Sequence, residues 1–486
     1  MVPRHSRLAS EPEITVRDLA LAASRSSDDE REPLTLGGLD ASAKDDRGVL
    51  LKLGFSFFLF GLINNVLYVI ILSAALDLVP PSTPKGIIAF CNIAPALVAK
   101  IGWPYLLKGR IRYVKRLVGC CALSSIGMLV VAFFDSLYAR LLGICLASFS
   151  SGLGELTFLQ LSTTYAPPSI AGRNIGYFAS GTGAAGLVGA FLWWEVRGLG
   201  VRVGVGLSSV LPIIIPLTYF FLLPRSDSFV YSSLATEDGP SALPYTPLAT
   251  TDDDDEAEEG RLPADLKVAP ALSISDKWRL VKPLMAKYML PLFCVYLFEY
   301  TINQGIAPTL LYPVPPADKY WFLSKIIHSV RDYYPLWQLV YQTTVFLSRS
   351  SISLGLPPLP ERLLSLPAII QGVILSLLVF ESAVGFAADD FEATNIAIVF
   401  VLISFEGICG GLAYVNTFYR INQERPDPGS DVHDAERLKQ EKEFKIGSIG
   451  FADSSGILLA SLVAVPTELT LCKAQVNRGK MLCKGL

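Results

Sequence analysis

Charged side chains and histidines are scarce in this sequence of 486 residues. Only 17% of the residues are Asp, Glu, Lys or Arg, against roughly 25% in ordinary soluble domains. The 41 basic and 44 acidic residues nearly cancel, so no bulk charge attracts nucleic acid. The three histidines, His5, His328 and His433, are far apart, and neither a P-loop nor an H-E-x-x-H motif is present. We therefore expect no metal, no cofactor and no catalytic residue, and we expect that the protein is not an enzyme.

A disulfide framework and a secretory leader are also not indicated. Six of the eight cysteines fall within apolar segments, where they are expected to pack as small hydrophobic side chains. Cys472 and Cys483 lie together outside the apolar part of the chain. The first 52 residues are polar and contain no apolar core of a signal peptide. The first apolar segment is therefore expected to direct membrane insertion.

Long apolar runs dominate what is present. Hydrophobic residues make up 51% of the chain, and its mean hydropathy is +0.44. A helix that spans a bilayer needs about 20 mostly apolar residues. Eleven windows satisfy this requirement, at 53–76, 86–107, 114–134, 138–161, 174–195, 204–223, 286–312, 335–356, 363–381, 394–418 and 446–466. The sequence predicts an all-α polytopic membrane protein of about eleven transmembrane helices.

Charge clusters divide the chain into five parts. They are a disordered cytosolic tail (1–52), a first bundle of six helices (53–223), an acidic disordered cytosolic linker (224–285), a second bundle of five helices (286–466) and a C-terminal tail (467–486). Basic residues concentrate in the even-numbered loops, as at 108–116 and 437–445. The positive-inside rule therefore predicts a cytosolic N-terminus, and the odd number of spans predicts a lumenal C-terminus. A prenylation-like box at 483–486 lacks the aliphatic middle residues and would lie on the lumenal side.

The spans on the two sides of the linker resemble each other. Residues 148–160 of span 4 match residues 404–416 of span 10, and 184–190 of span 5 match 454–460 of span 11, with Gly186 opposite Gly456. Spans 1 and 7 carry side chains at the same four offsets: Gly61, Asn64, Asn65 and Tyr68 in span 1, and Tyr296, Glu299, Tyr300 and Asn303 in span 7. Spans 2 and 8 each contain one cation, Lys100 and Arg349. This order predicts two parallel six-helix halves, the second without its last helix, as in many transporters.

Ionisable and polar residues inside the spans are the candidate functional groups. A charge at the centre of a bilayer costs about 3 kcal/mol on insertion scales, so such a group is expected to face a cavity or a partner. The candidate substrate-binding residues are Asn64, Asn65, Tyr68, Lys100, Glu299, Asn303, Gln304 and Arg349, and the candidate proton-coupling residues are Glu155, Glu406 and Asp453. Lys100 and Arg349 have two interpretations, as ligands of an anionic group such as phosphate or as partners that only neutralise acids. Residues 181–186 match the dinucleotide fingerprint, but they lie within a span and follow no strand, which favours close helix packing.

Ordered motifs within residues 51–466 are shared with a known family. They are Asn64-Asn65 with Tyr68-Val69, Ser151-Gly-Leu-Gly-Glu155-Leu-Thr-Phe158, Glu299-Tyr300 with Ile302-Asn303-Gln304-Gly305, Tyr341-Gln342 with Ser348-Arg349, and Gly410-Gly411 with Tyr414-Val415-Asn416. By these motifs the chain resembles the battenin family, the Batten-disease protein and its fungal relatives. The resemblance implies a lysosomal or vacuolar membrane protein with a fold similar to the major facilitator superfamily, linked to vacuolar pH, basic amino acid transport and glycerophosphodiester clearance. The usual signature of that superfamily between spans 2 and 3 contains an acidic residue, and 108–116 has none, so its coupling mechanism is not carried over.

Two classes of function are compatible with these features. The first is a secondary active vacuolar transporter, with the proton as a candidate coupling ion, for one of two substrates. An anionic glycerophosphodiester would use Lys100 and Arg349, whereas a cationic amino acid would use Glu299, Glu155 or Glu406. The alternative is a non-transporting membrane organiser that recruits trafficking or proton-pump regulators through the 224–285 loop, which contains two Y-x-x-apolar motifs. The expected partners are the lipid bilayer, a small-molecule substrate and adaptors on the 224–285 loop, and no nucleic acid.

Overall fold

The computed structural model describes residues 36–74, 86–106, 112–165, 168–225, 272–316, 318, 321–386, 392–424 and 435–485. The acidic run and both tyrosine motifs of the 224–285 loop lie outside these ranges, as does most of the predicted tail 1–52. Residues 1–50 and residues 51–486 form two units, each of which makes its contacts mainly within itself. The side-chain contacts of the candidate site all lie within residues 51–486.

Eleven long helices form most of the described part of the chain, in which no strand occurs. They are α1 (Leu36–Ser73), α2 (Gly86–Leu106), α3 (Tyr113–Phe133), α4 (Leu137–Ser162), α5 (Pro168–Val196), α6 (Gly200–Leu222), α7 (Ile274–Thr309), α8 (Tyr333–Arg349), α9 (Leu366–Ala383), α10 (Glu392–Asn422) and α11 (Ala435–Asn477). Within the described ranges, nine helical stretches are long and apolar enough to cross a membrane. The other two helices are α2, with the shorter apolar stretch Phe90–Gly102, and α8, with 17 residues. The predicted all-α fold is confirmed.

Helix α7 begins before its apolar window and contains two irregular turns. Its start is fixed by a capping box, in which the Ser273 hydroxyl accepts from the Asp276 nitrogen at 3.2 Å and the Asp276 carboxylate accepts from the Ser273 nitrogen at 3.3 Å. Residues 274–284, which their charge assigned to the linker, are therefore helical. Further along, the turns Met285–Met289 and Ile302–Ile306 are π-helical. Such turns are frequent at functional sites, and the second one contains the candidates Asn303 and Gln304.

The two halves use the same helix packing. In the first half α4 packs against α2 and α3, and in the second half α10 packs against α8 and α9. Between the halves, α2 contacts α11, and α5 contacts α8 and α10. The predicted pseudo-repeat is confirmed, and the two helices with intramembrane cations, α2 and α8, both lie at the junction.

Close helix approach requires glycine at equivalent places in the two halves. A Cβ atom on Gly181 of α5 would lie 2.8 Å from the Leu62 nitrogen of α1, and one on Gly456 of α11 would lie 3.1 Å from the Leu297 nitrogen of α7. Leu62 and Leu297 are equivalent by the predicted match of spans 1 and 7. Gly456 therefore corresponds to Gly181, and its predicted match with Gly186 is wrong. Small residues recur along both α5 and α11, so residue identity alone did not determine which positions of these two helices are equivalent.

The C-terminal segment is attached to the ends of two other helices. Helix α11 continues beyond residue 467, and the chain then turns back so that Cys483 forms a disulfide with Cys472. The Gln475 side chain donates to the main-chain oxygens of Thr309 at 2.8 Å and Ser382 at 3.0 Å. The end of α11 is thereby bonded to the ends of α7 and α9.

Candidate functional site

Lys100 lies in a buried charged triad that joins the two halves. Its ammonium is 2.8 Å from the Glu155 carboxylate of α4 and 3.1 Å from the Asp453 carboxylate of α11. The three side chains are 6%, 12% and 5% exposed, respectively. The Tyr414 hydroxyl of α10 donates a further hydrogen bond to Glu155 at 2.8 Å. Of the two interpretations of Lys100, neutralisation of acids is the one that this geometry fits.

Arg349 lies in a different environment, at the end of α8. Its guanidinium donates to the Thr182 hydroxyl of α5 at 2.7 Å and to the Tyr296 hydroxyl of α7 at 3.0 Å, and it stacks 4.5 Å from the centre of the Tyr414 ring. Its Nε atom is buried and has no hydrogen-bond partner among the described residues. Within the described part of the chain, no carboxylate forms an ion pair with Arg349, so this cation keeps capacity for an anionic group.

The position of Arg349 depends on the close approach of α5 and α8. A Cβ atom on Gly183 of α5 would lie 2.9 Å from the Phe346 Cα atom and 3.4 Å from the Arg349 Cδ atom. The absence of a side chain at Gly183 therefore lets the guanidinium reach Thr182 across the junction of the halves. Small residues serve in the same way at many membrane helix contacts.

Two buried acids from α7 and α10 lie in a second polar cluster. Glu299 is 1% exposed and Glu406 is 0% exposed. The Asn303 amide donates to the Glu406 carboxylate at 2.9 Å and to the Glu299 main-chain oxygen at 3.1 Å, and the Tyr341 hydroxyl donates to the Glu299 carboxylate. The Gln338 amide donates to the Asn303 side-chain oxygen at 2.9 Å. One carboxylate oxygen of each acid is buried with no hydrogen-bond partner in the part of the chain that the structure describes.

Asn64 occupies the place in the first half that Glu299 occupies in the second. Its amide donates to the Ser151 main-chain oxygen of α4 at 3.0 Å, and the Ser151 hydroxyl donates back to the Asn64 main-chain oxygen at 3.1 Å. A Cβ atom on Gly154 would collide with the Asn64 amide, and one on Gly410 would collide with the Glu299 carboxylate. The predicted match of Gly154 with Gly410 therefore agrees with the packing in both halves.

The three remaining candidates are outside the two clusters. The Asn65 amide donates to the Gly61 main-chain oxygen of its own helix at 3.1 Å. Tyr68 lines a small cavity within the first half, and its hydroxyl interacts with that of Tyr300 across the junction. Gln304 is half-buried, and among the described residues it has no hydrogen bond to either cluster. The structure therefore brings together only part of the predicted set.

Side chains that bond to the candidate residues but were not themselves candidates include Thr182, Tyr296, Gln338, Tyr341 and Tyr414. A signal for Tyr414 was present in the sequence, because Glu406, Gly410 and Tyr414 recur every four residues and so lie on one face of α10. Tyr341 is similarly eight residues before Arg349, on the same side of α8. Thr182 has no comparable signal, because it reaches Arg349 from the other half of the chain.

Comparison with known proteins connects this arrangement with a family. The family model described as CLN3 protein matches residues 55–474. Protein BTN1 of Mycosarcoma maydis is 47% identical, covering 89% of this chain and 88% of that protein. Protein BTN1 of Cryptococcus neoformans var. neoformans serotype D (strain B-3501A) is 44% identical (90% and 96% covered), and btn1 of Schizosaccharomyces pombe is 36% identical (89% and 97% covered).

Solved transporter structures share the fold at low sequence identity. The major facilitator superfamily proton:xylose symporter XylE, bound to 6-bromo-6-deoxy-D-glucose, superposes with a TM-score of 0.52 at 10% identity, covering 90% of this chain and 93% of the symporter. The human organic anion transporter MFSD10 superposes with a TM-score of 0.50 at 12% identity, covering 89% and 99%. With its matches to the family model and to the fungal relatives, the chain belongs to the CLN3, or battenin, family, and it has the fold of a major facilitator superfamily transporter.

Proposed function

We propose that this protein is a secondary transporter of the vacuolar, or lysosome-like, membrane. Its family and its fold support a multi-pass membrane transporter, and the junction of its halves carries the polar groups that a solute would contact. In the proposed cycle, the two helical halves alternately open this junction to the lumen and to the cytosol. The N-terminus would be cytosolic and the C-terminus lumenal, and the activity would contribute to vacuolar pH homeostasis.

The substrate that the charges favour is an anionic glycerophosphodiester. The single observation that supports this choice is the Arg349 guanidinium, which has a buried Nε atom without a partner and no ion-paired carboxylate among the described residues. A planar guanidinium is well suited to bind a phosphate group. Lys100, in contrast, already has two carboxylate partners, so Arg349 would be the principal phosphate ligand.

A basic amino acid is the second candidate substrate. It is favoured by the free carboxylate oxygens of Glu299 and Glu406, which could accept from an ammonium or guanidinium group. Binding of such a cation would have to overcome repulsion by Arg349, because that side chain lies in electrostatic range of Glu299. The two candidates therefore make opposite predictions for the removal of the Arg349 charge.

Uptake by proteoliposomes tests the proposal. We expect the purified protein to move labelled glycerophosphoglycerol faster than protein-free vesicles, and Arg349→Gln to reduce this rate about 10- to 150-fold. That range corresponds to about 1.5–3 kcal/mol for a hydrogen bond to a charged group. Arg362→Gln is the matched control, because Arg362 is exposed and outside both clusters. Wild-type rates in Arg349→Gln would contradict the assigned ligand, and faster arginine uptake in that variant would favour the second substrate.

The membrane-organiser alternative gives a different result. If purified protein moves neither substrate, and deletion of residues 230–262 abolishes vacuolar function at the correct location, the loop rather than the helical junction would perform the function. If the deletion leaves that function intact, the alternative loses its support. Most of this loop is outside the described residues, so the deletion is the direct test.

A further inference from the structure

We propose that Glu299 and Glu406 form a shared proton-binding site that drives the transporter. The inference rests on the transport function proposed above and names its coupling ion and the site of that ion. It concerns the second polar cluster rather than the Lys100 triad, although Glu155 and Asp453 of that triad are also intramembrane acids. Three independent features of the described residues support the choice of this pair.

The first feature is that neither acid is paired with a cation at ion-pair distance in the described part of the chain. Glu299 and Glu406 are both buried, and Asn303 donates to the Glu406 carboxylate and to the Glu299 main-chain oxygen. Among the described residues, each acid has one carboxylate oxygen without a hydrogen-bond partner. Two ionised carboxylates so placed would repel each other in a medium that solvates them poorly. One bound proton removes this repulsion, whereas the Glu155 and Asp453 charges are already compensated by Lys100.

The second feature is the comparison between the pseudo-repeats. The place of Glu299 is taken in the first half by Asn64, which makes the equivalent contact beside a glycine. The place of Glu406 is taken by Ser150, which accepts from Ser124 at 2.8 Å and donates to a main-chain oxygen. Neutral side chains therefore satisfy the same helix packing. The acids of the second half are not required by the fold, which indicates a role in function.

The third feature is a connection to the proposed phosphate ligand. Tyr341 donates to Glu299, and Arg349 extends from the same side of α8, eight residues further along. Arg349 also interacts electrostatically with Glu299. Gain or loss of a proton at the acid pair therefore changes the field at Arg349 and the hydrogen bond that connects α7 with α8. Asn303, which donates to the Glu406 carboxylate, lies on a π turn where α7 departs from regular geometry.

The helices packed around the pair carry other ionisable groups. They are Tyr296 and Tyr300 of α7, Tyr341 and Arg349 of α8, Glu381 of α9 (bonded to Tyr312), Cys409 of α10, and Asp453 of α11 (bonded to Lys100). Arg349 is the cation among them that lacks a carboxylate partner in the described ranges. A bound substrate anion would neutralise this cation and so favour protonation of the pair. Binding of the anion and of the proton would therefore be mutually favourable.

The transport step has a simple charge balance. One proton leaves water on the acidic lumenal side, forms an O–H bond with a carboxylate oxygen of the pair, and returns to water on the cytosolic side. No electron transfer or bond cleavage is needed. A glycerophosphodiester with one negative charge moves with it, so one proton and one substrate give electroneutral symport. A pH gradient that is acidic on the lumenal side would therefore drive the substrate toward the cytosol, and a membrane potential would have little effect.

The test uses full-length protein in proteoliposomes with labelled glycerophosphoglycerol. Counterflow, in which substrate exchanges without a gradient of pH, reports the proposed function, and accumulation driven by a pH gradient reports proton coupling. In the wild type we expect both, with one proton moved per substrate as measured by an internal pH dye. We expect the counterflow rate of Glu406→Gln to stay within about threefold of the wild-type rate. Its pH-driven accumulation should be at least tenfold lower than that of the wild type. Glu195→Gln, at an exposed position near the end of α5, is the control and should retain both.

The outcomes distinguish the two proposals. Absence of counterflow in the wild type refutes the transport function itself. Wild-type counterflow without proton movement, or accumulation that requires sodium instead, overturns the proton site whatever the variants do. Glu299→Gln is the second variant, and pH-driven accumulation that survives in both glutamine variants overturns the assignment to this pair. Retained counterflow in either variant shows that it is folded.

Discussion

Removal of the Lys100 charge should destabilise the contact between the halves more than any exposed charge change. In Lys100→Met, Glu155 and Asp453 lose a common partner that lies 2.8 and 3.1 Å away. These carboxylates are 12% and 5% exposed, so water cannot readily replace the ammonium. Breaking a buried ion pair by removing one partner costs about 3–5 kcal/mol. This corresponds to a change of about two to four orders of magnitude in the folding equilibrium.

Thermal denaturation of the purified protein in detergent measures this effect. Asp135→Asn is the control, because Asp135 forms ion pairs with Arg140 and Arg202 at 3.0 Å but is 73% exposed. Such a pair contributes about 0–1 kcal/mol, so the midpoint should change little. The Lys100→Met/Asp453→Asn double variant should be more stable than Lys100→Met, since one uncompensated carboxylate is gone. A Lys100→Met midpoint equal to that of Asp135→Asn would refute the energetic role of the triad.

Two further predictions concern helix contacts and the C-terminus. Gly181→Leu and Gly456→Leu should each prevent folding or lower the denaturation midpoint strongly, because a Cβ at either position meets main-chain atoms of the adjacent helix. Gly119→Leu should be tolerated, because no atom lies within 4 Å of the added Cβ. Equal midpoints for all three variants would contradict the described helix packing. Mass spectrometry of unreduced protein should find one linked peptide pair containing Cys472 and Cys483, whereas a prenyl group on Cys483 would show that the disulfide does not form.

The helices could be predicted because lipid imposes a simple rule on the sequence. A spanning segment must satisfy its main-chain hydrogen bonds internally and present apolar side chains for about 20 residues, so hydropathy alone located the spans. The start of α7 was missed because Ser273 and Asp276 begin the helix in a polar stretch that hydropathy does not detect. The sequence did not show which residue of α5 is equivalent to Gly456 of α11, because Gly181 and Gly186 are equally small. Only the contact of Gly181 with α1 distinguishes the two glycines.

The sequence predicted many of the residues of the candidate site, but it did not predict which acid pairs with which cation. Charges inside apolar segments are few, so Lys100, Glu299 and Arg349 were conspicuous in the sequence. Which acid compensates which cation depends on the contacts of α2 with α11 and of α5 with α8, which join distant parts of the chain. The two equivalent cations consequently have different environments, since Lys100 meets Asp453 whereas Arg349 meets the hydroxyl of Thr182.

Substrate choice in counterflow is the measurement that tests the proposed transport function most directly. Vesicles containing the wild-type protein would be loaded with unlabelled glycerophosphoglycerol and placed in either labelled glycerophosphoglycerol or labelled arginine. If Arg349 binds the anionic group of the substrate, the labelled glycerophosphodiester will enter faster than in protein-free vesicles and arginine will not. Parallel vesicles would be loaded with unlabelled arginine and placed in labelled arginine. Entry of arginine alone in these vesicles, or entry of neither compound in any vesicles, would contradict the proposed function.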